Sequence, residues 1–210
     1  MPKLLALGTG NAKKRGELEA LLALPALRLA TLADFPPVPE AVEDADTFAG
    51  NAAVKARHYA LALGAWCLAE DSGLCVDALA GVPGVCSARY AGEPCDDERN
   101  NERLLAALAG IPATRRGARY ECWIAVADPA GAIRATASGK CLGRIGTERR
   151  GTGGFGYDPL FVFGAGDRTF AELPAAFKRE HSHRAAAVVQ LRPLLAELLL
   201  APDWPEEAAG

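Results

Sequence analysis

An apolar run from Lys3 to Gly8 breaks into Gly-Thr-Gly-Asn, and Leu18, Leu21 and Leu22 then follow at helical spacing until Pro25. A strand feeding a glycine turn and a helix is the unit from which α/β sheets are built, so this opening constrains the fold more than any other feature. The alternation continues. Residues 33–46, rich in Pro, Asp and Glu, read as a loop. Thr47 reads as the N-cap of a helix to about Leu63, stopped by Gly64. Phe48, Ala52, Tyr59 and Leu63 mark its apolar face, and Asn51 and Lys55, four apart, share a neighbouring face. Ala65 to Ala69 reads as a second short strand that runs into Glu70-Asp71-Ser72-Gly73.

Beyond a Gly- and Pro-punctuated loop from Gly81 to Gly92, Asp96 or Asp97 caps a helix through Leu104, Leu105 and Leu108 that Gly110 closes. Tyr120, Cys122, Ile124 and Val126 alternate as a half-buried strand does. Residues 132–142 are expected to pair with it across a turn near Pro129-Ala130-Gly131, and Leu160 to Phe163 is a further strand. Ala185 to Leu200 is helical by pattern, with Pro193 kinking it or starting a new segment. The expected fold class is α/β with a mixed sheet. With no internal repeat and no long linker, residues 1–200 read as a single domain and 201–210 as a frayed tail.

Composition narrows the partners. The 210 residues carry 23 Lys+Arg against 26 Asp+Glu, a net charge of −3. A chain so close to neutral has no sequence-wide basic field, which argues against nucleic acid as its partner; an anionic ligand must be held by a few local Lys, Arg and backbone N–H groups. The six cysteines, Cys67, Cys75, Cys86, Cys95, Cys122 and Cys141, form no C-x-x-C pair, and the three histidines fall in no zinc spacing. They read as free thiols of a reducing compartment. The start, MPKLLALGTGN, does not read as a signal peptide, and no apolar run approaches the ~20 residues that span a bilayer. A soluble cytoplasmic protein without membrane partners is expected.

Four places carry chemistry. Gly8 to Lys14 is a glycine turn between strand and helix, an arrangement that aims backbone N–H groups and the helix dipole at an anion, with Lys13 and Lys14 at the same end. A plain turn with solvated lysines is the competing reading, and no G-x4-G-K-[ST] loop occurs. Glu70 and Asp71 stand at the end of a short buried strand, where α/β sheets place ligands; with Glu43 they are candidates to hold a divalent cation and activate water. Gly151, Gly153 and Gly156 fit G-x-G-x-x-G, but a strand follows instead of a helix, so the dinucleotide reading fails. That loop still suits close ligand approach, with Phe155 and Tyr157 as stacking surfaces or as core. Lys178 to Arg184 gathers donors ahead of the last helix, and His183-Arg184 could read a base edge or a phosphate, or form a basic surface helix start.

The order of these blocks is more specific than any one of them. Thr9-Gly10-Asn11 with Lys14 leads to Thr47-Phe48 with Asn51, Lys55, Ala56 and Arg57. Asp71-Ser72-Gly73-Leu74, Val76-Asp77-Ala78-Leu79, Pro83-Gly84-Val85 and Ser87-Ala88-Arg89-Tyr90-Ala91-Gly92 follow. Gly153-Gly154-Phe155-Gly156-Tyr157-Asp158-Pro159 and Ser182-His183-Arg184 complete the series. From about residue 3 to 200 the chain resembles the inosine triphosphate pyrophosphatase family, which hydrolyses noncanonical purine nucleoside triphosphates. The resemblance implies an elongated mixed sheet flanked by helices, two lobes around a central cleft, Mg2+ as cofactor and a homodimer. The implied reaction converts ITP, dITP or XTP to the monophosphate and pyrophosphate. Thr9, Gly10, Asn11, Ala12, Lys13 and Lys14 would form the phosphate loop, and Lys55 would steady the phosphates. Glu43 and Asp71 would bind metal, with Asp71 also the general base, and Ser72 would contact substrate. Phe155, Gly156, Tyr157 and Asp158 would form the base-side pocket, Lys178 would contact the nucleotide, and His183 and Arg184 would meet the purine edge.

Three positions depart from the family's usual pattern. Glu70 stands where Asp is common, Gly50 where a Glu usually precedes the helix Asn, and Lys13 where Gly is frequent. Glycine in a first turn weakens a helix by ~1 kcal/mol. None is expected to abolish activity. A septum-inhibitor-like nucleotide pyrophosphatase for pyrimidine or modified substrates, and a catalytically silent nucleotide-binding regulator, are the alternatives; the His183-Arg184 pair disfavours the first, and the presence of both Glu43 and Asp71 the second.

Overall fold

The computed structural model describes residues 1–204. In chain order the elements are β1 (Lys3–Leu7), α1 (Ala12–Leu21), β2 (Leu27–Thr31), α2 (Phe48–Leu63), β3 (Cys67–Val76) and α3 (Asp97–Ala107). β4 (Gly117–Ala127), β5 (Ile133–Ile145), β6 (Phe161–Phe163), α4 (Ala175–His181) and α5 (His183–Leu198) complete them. The strands form one sheet in the order β2-β1-β3-β4-β5-β6. β1 runs parallel to both β2 and β3, and β6 runs antiparallel to β5, so the sheet is mixed, as expected.

The chain divides into two compact units, the first made of residues 1–71, 122–139 and 187 onward, the second of residues 72–121 and 140–186. β3, β4, β5 and α5 each pass from one into the other. In the first unit Leu5, Leu7, Leu18, Trp66, Leu68, Ile124 and Leu191 form one buried cluster. A second is made of small side chains: Ala52, Ala56 and Ala60 of α2 with Ala6, Ala69 and Ala125. The second unit is built on larger groups, among them Leu74, Leu104, Tyr120, Leu160, Phe161 and Phe170.

Helix α2 has the bounds its sequence announces. The Thr47 hydroxyl accepts the Gly50 N–H at 3.0 Å, and Gly64 closes the helix in the left-handed region at φ 61°. Gly50 is required here rather than merely tolerated, because a Cβ would lie 2.7 Å from that of Ala45. Gly8 is similarly constrained, since a Cβ there would lie 2.8 Å from the Tyr59 ring and 2.9 Å from Cys67 Sγ, whereas Gly10 faces open space.

Four features differ from the sequence expectations. Strand β2 was not foreseen: five residues, Leu27 to Thr31, give too short a pattern to read. Strand β3 extends to Val76, so Glu70 to Gly73 lie within it and not in a loop beyond it. Asp, Glu and Gly disfavour strands, but the place of β3 inside the sheet, beside β4, overrides that preference. Pro193 lies inside α5 and so starts no new segment; its missing N–H leaves the Val189 carbonyl without its helical donor. Finally, residues 201–204 are not frayed. Trp204 stacks on Trp66 at 4.2 Å and donates its indole N–H to Leu4 O at 3.1 Å, and the Arg134 guanidinium lies over Trp66 and bridges to Asp203. The remainder of the expected tail, 205–210, lies outside the described residues.

Candidate active site

In the first unit, Asn51 and Lys55 project from α2 toward Asp71 on β3. Lys55 Nζ lies 2.7 Å from Glu43 Oε2 and 3.3 Å from Asp71 Oδ1, and Asn51 Nδ2 donates to Asp71 Oδ2 at 3.2 Å. The Asn51 side-chain oxygen accepts the Ala45 N–H at 3.0 Å, which ties the Glu43 loop to the helix. The helical spacing of Asn51 and Lys55 therefore delivers one amide and one ammonium to a single carboxylate. Asp71 is buried, 6% exposed. Burial pushes its carboxyl above the ordinary value, against the pull of Lys55 and Lys14. Burial alone would lower the Lys55 amine, but Asp71, Glu43 and Glu70 outweigh it and raise it.

Glu70 does not share this partnership. Successive residues of a strand point to opposite faces, and Glu70 turns to Lys14 Nζ at 3.6 Å and to Cys122, whose thiol donates to Oε2 at 3.2 Å. At the turn before α1, Asn11 is the N-cap: its Oδ1 accepts the N–H groups of Lys13 and Lys14 at 3.0 and 3.1 Å, and Thr9 Oγ1 accepts the Asn11 N–H at 3.2 Å. Two of the N–H groups expected to face an anion are thus already capped within the loop. Gly10, Asn11, Ala12 and Lys13 are exposed, and what the turn offers outward is chiefly the Lys14 head group beside Glu70.

In the second unit the Gly-rich loop folds around Asp158, which is 1% exposed. Asp158 Oδ2 accepts from Lys178 Nζ at 2.6 Å and from Phe155 N at 2.9 Å, and Oδ1 accepts from the Tyr120 hydroxyl at 3.4 Å. Gly154 has φ 73°, and a Cβ there would strike the Asp158 carboxylate, so the turn needs glycine. Lys178 Nζ sits 4.2 Å from the Phe155 ring centroid. Gly156 N donates to Asp97 Oδ2 at 2.9 Å. Tyr157 is core: its hydroxyl donates to Ser87 O at 2.8 Å, so it braces the Ser87–Gly92 segment and offers no stacking face. His183 and Arg184 are buried, which removes the surface-helix reading. His183 stacks on Tyr120 at 4.8 Å, and Arg184 Nη2 donates to Ser72 Oγ at 3.1 Å.

The expected residues thus gather in two sets: Glu43, Lys55 and Asp71 in the first unit, with Lys14 held through Glu70; and Ser72, Phe155, Asp158, Lys178, His183 and Arg184 linked in pairs in the second. Tyr120 and Cys122 were read from the sequence only as inward-facing strand residues. Burial of their polar atoms beside charged groups was the missing signal, and alternation alone does not give it.

The Ham1 family profile matches residues 5–194. A dITP/XTP pyrophosphatase of Rhodopirellula baltica is 51% identical over 93% of this chain and 94% of its own length, and one of Desulforamulus reducens is 47% identical over 93% and 97%. The solved Ham1 protein of Staphylococcus aureus superposes with a TM-score of 0.83 at 34% identity, covering 93% of this chain and all of the other. With a profile match over most of its length, close relatives and the same fold, the chain belongs to the Ham1 family.

Proposed function

We propose that this chain is a Mg2+-dependent pyrophosphatase that hydrolyses noncanonical purine nucleoside triphosphates, ITP, dITP and XTP, to the monophosphate and pyrophosphate. The observation that carries the reading is the convergence of Glu43 and Asp71 on one cation, the Lys55 ammonium, at 2.7 and 3.3 Å. Two carboxylates aimed at a single positive point form an oxygen-only donor pair of the kind that suits Mg2+. Among the described residues no three His, Cys, Asp or Glu side chains form a metal cluster, so water and the substrate's phosphates complete the coordination, as Mg2+ commonly requires. Bound there by Glu43 and Asp71, the ion would screen the triphosphate and acidify a water.

The protein's own groups do the rest. Asp71 accepts the water's proton, and Asn51 fixes the carboxylate's orientation. Lys55 and Lys14 supply fixed positive charge to the phosphates. In the second unit, Arg184 and His183 offer donors to a purine. Hypoxanthine and xanthine carry an accepting carbonyl at position 6, where adenine carries an amine, so a pocket of fixed donors leaves adenine mismatched. Phe155, held beside Lys178, offers an apolar ring face to the base. A homodimer and a cytoplasmic location complete the proposal. A panel of nucleotides assayed for pyrophosphate with and without Mg2+ tests it: ITP, dITP and XTP should be turned over well above ATP. IDP as first product from ITP, or full activity in excess EDTA, would overturn it.

A further inference from the structure

Glu70 is a buried carboxylate, its side chain fully shielded, standing next in sequence to the proposed base yet turned away from it. Burying a carboxylate is costly unless it is paired and hydrogen-bonded. Two partners meet that need on opposite oxygens: Cys122 Sγ at 3.2 Å from Oε2 and Lys14 Nζ at 3.6 Å from Oε1. An ionised carboxylate only accepts, so the thiol is the donor. Cys122 is itself fully buried in β4, the strand beside β3.

From this we infer that Cys122 is a positioning residue: its S–H pins Oε2 of Glu70, which leaves Oε1 facing Lys14 and presents the ammonium to the substrate's phosphates. The contact to Lys14 is longer than a hydrogen bond, so the ammonium is located without being consumed. The backbone N–H groups of Lys13 and Lys14 are already capped by Asn11, which puts the turn's anion affinity largely on this one head group. The inference rests on the proposed reading of Lys14 as a phosphate contact, but it can be tested apart from turnover.

The probe is inorganic tripolyphosphate, which has no base, titrated calorimetrically into the full chain; KM and kcat for ITP are measured alongside. Cys122→Ser keeps a donor, Cys122→Ala removes it, and Cys122→Val removes it while filling the volume. Losing one charge-assisted hydrogen bond behind Lys14 should weaken tripolyphosphate binding and raise KM by about 10-fold in both Ala and Val. Ser should stay within about 2-fold of the parent, and kcat should change less than KM in all three. In a Glu70→Gln background, Cys122→Ala should add little, because the pair acts as a unit. Ala and Val binding tripolyphosphate like the parent, Ser failing as badly as Ala, or a parent that binds no tripolyphosphate would each overturn the positioning role. Absence of pyrophosphate release from ITP with tripolyphosphate binding intact and donor-dependent would overturn the proposed function and leave the positioning role standing.

Discussion

Asp158 and Asp71 each face a lysine ammonium in buried surroundings, but the two carboxylates are held very differently. Asp158 has Lys178 at 2.6 Å, the Phe155 N–H at 2.9 Å and the Tyr120 hydroxyl at 3.4 Å. Among the described residues Asp71 has Asn51 at 3.2 Å and Lys55 at 3.3 Å, and that lysine lies closer to Glu43, at 2.7 Å. A carboxylate saturated by short bonds is fixed and fixes what surrounds it, here the Gly153–Asp158 loop. One held by long bonds and a shared cation can exchange partners at little cost. The same pair of side chains thus organises the second unit and stays free to exchange partners in the first.

The sharpest way to break the comparison is to neutralise the loosely held member. Asp71→Asn keeps the shape but cannot take a proton, and turnover of ITP should fall ~10²–10⁴-fold. Its melting temperature should stay close to the parent's, since the long bonds lost are weak. Retention of more than a tenth of the parent rate would remove Asp71 from the chemistry.

Removing each lysine should then dissociate stability from activity. Lys178→Met takes the ammonium away from the buried Asp158 carboxylate, and breaking a buried pair costs about 3–5 kcal/mol. For a chain of this size each kcal/mol lowers Tm by roughly 2–4 °C. Lys55→Met leaves Glu43, whose side chain is 35% exposed and can turn to water, so Tm should drop far less while turnover is strongly reduced. Equal losses of Tm in the two variants would show that the pairs do not differ in kind.

A smaller effect is expected at the base-reading end. A lost charged hydrogen bond costs ~1.5–3 kcal/mol, roughly 10- to 150-fold. Arg184→Ala should lower kcat/KM for ITP by about that factor and leave the poor ATP rate little changed, so the ITP/ATP ratio collapses. A proportional fall for both substrates would assign Arg184 to phosphate or to structure through Ser72.

Much of the molecule was legible before its structure. Thr47 and Gly64 bounded α2 because caps are local chemistry, and the i, i+4 spacing put Asn51 and Lys55 on one face. The ordered motifs picked out residues that the fold gathers in two sets. What escaped depends on tertiary burial. Glu70 and Asp71 looked like neighbours on a loop sharing one metal, and only their placement within β3 turns them to opposite faces. Asn11 looked like part of an anion cradle, whereas its side chain caps the helix itself. Tyr120 and Cys122 looked like core because alternation reports which face is buried and is silent about a hydroxyl or thiol finding a carboxylate there. Gly50 looked like a defect until the approach of Ala45 gave it a cause.

Cysteine chemistry offers the mildest test, comparing one of the two buried thiols of each unit. Burial pushes Cys67 in the first unit up to about 12. In the second, burial with the Asp158 charge behind it pushes Cys141 up to about 12, against the opposing charge of Lys178. At pH 8 a thiol with such a value is about 10⁻⁴ thiolate, against roughly a quarter for an ordinary thiol near 8.5. Cys86 and Cys95 are exposed. Iodoacetamide at pH 8, followed by peptide mass mapping, should therefore modify Cys86 and Cys95 while Cys67 and Cys141 resist, with no loss of activity from the buried pair. The sign with pH follows: raised values favour the neutral thiol in the folded state, a contribution fully present below the ordinary thiol value and lost as pH climbs from about 9 toward 12. Tm should fall across that interval. Because Cys141 senses Asp158 and Lys178 while Cys67 senses neither, labelling of Cys141 ahead of Cys67 as pH rises would mean that the unit with the tighter pair opens first, the reverse of what its bond lengths require.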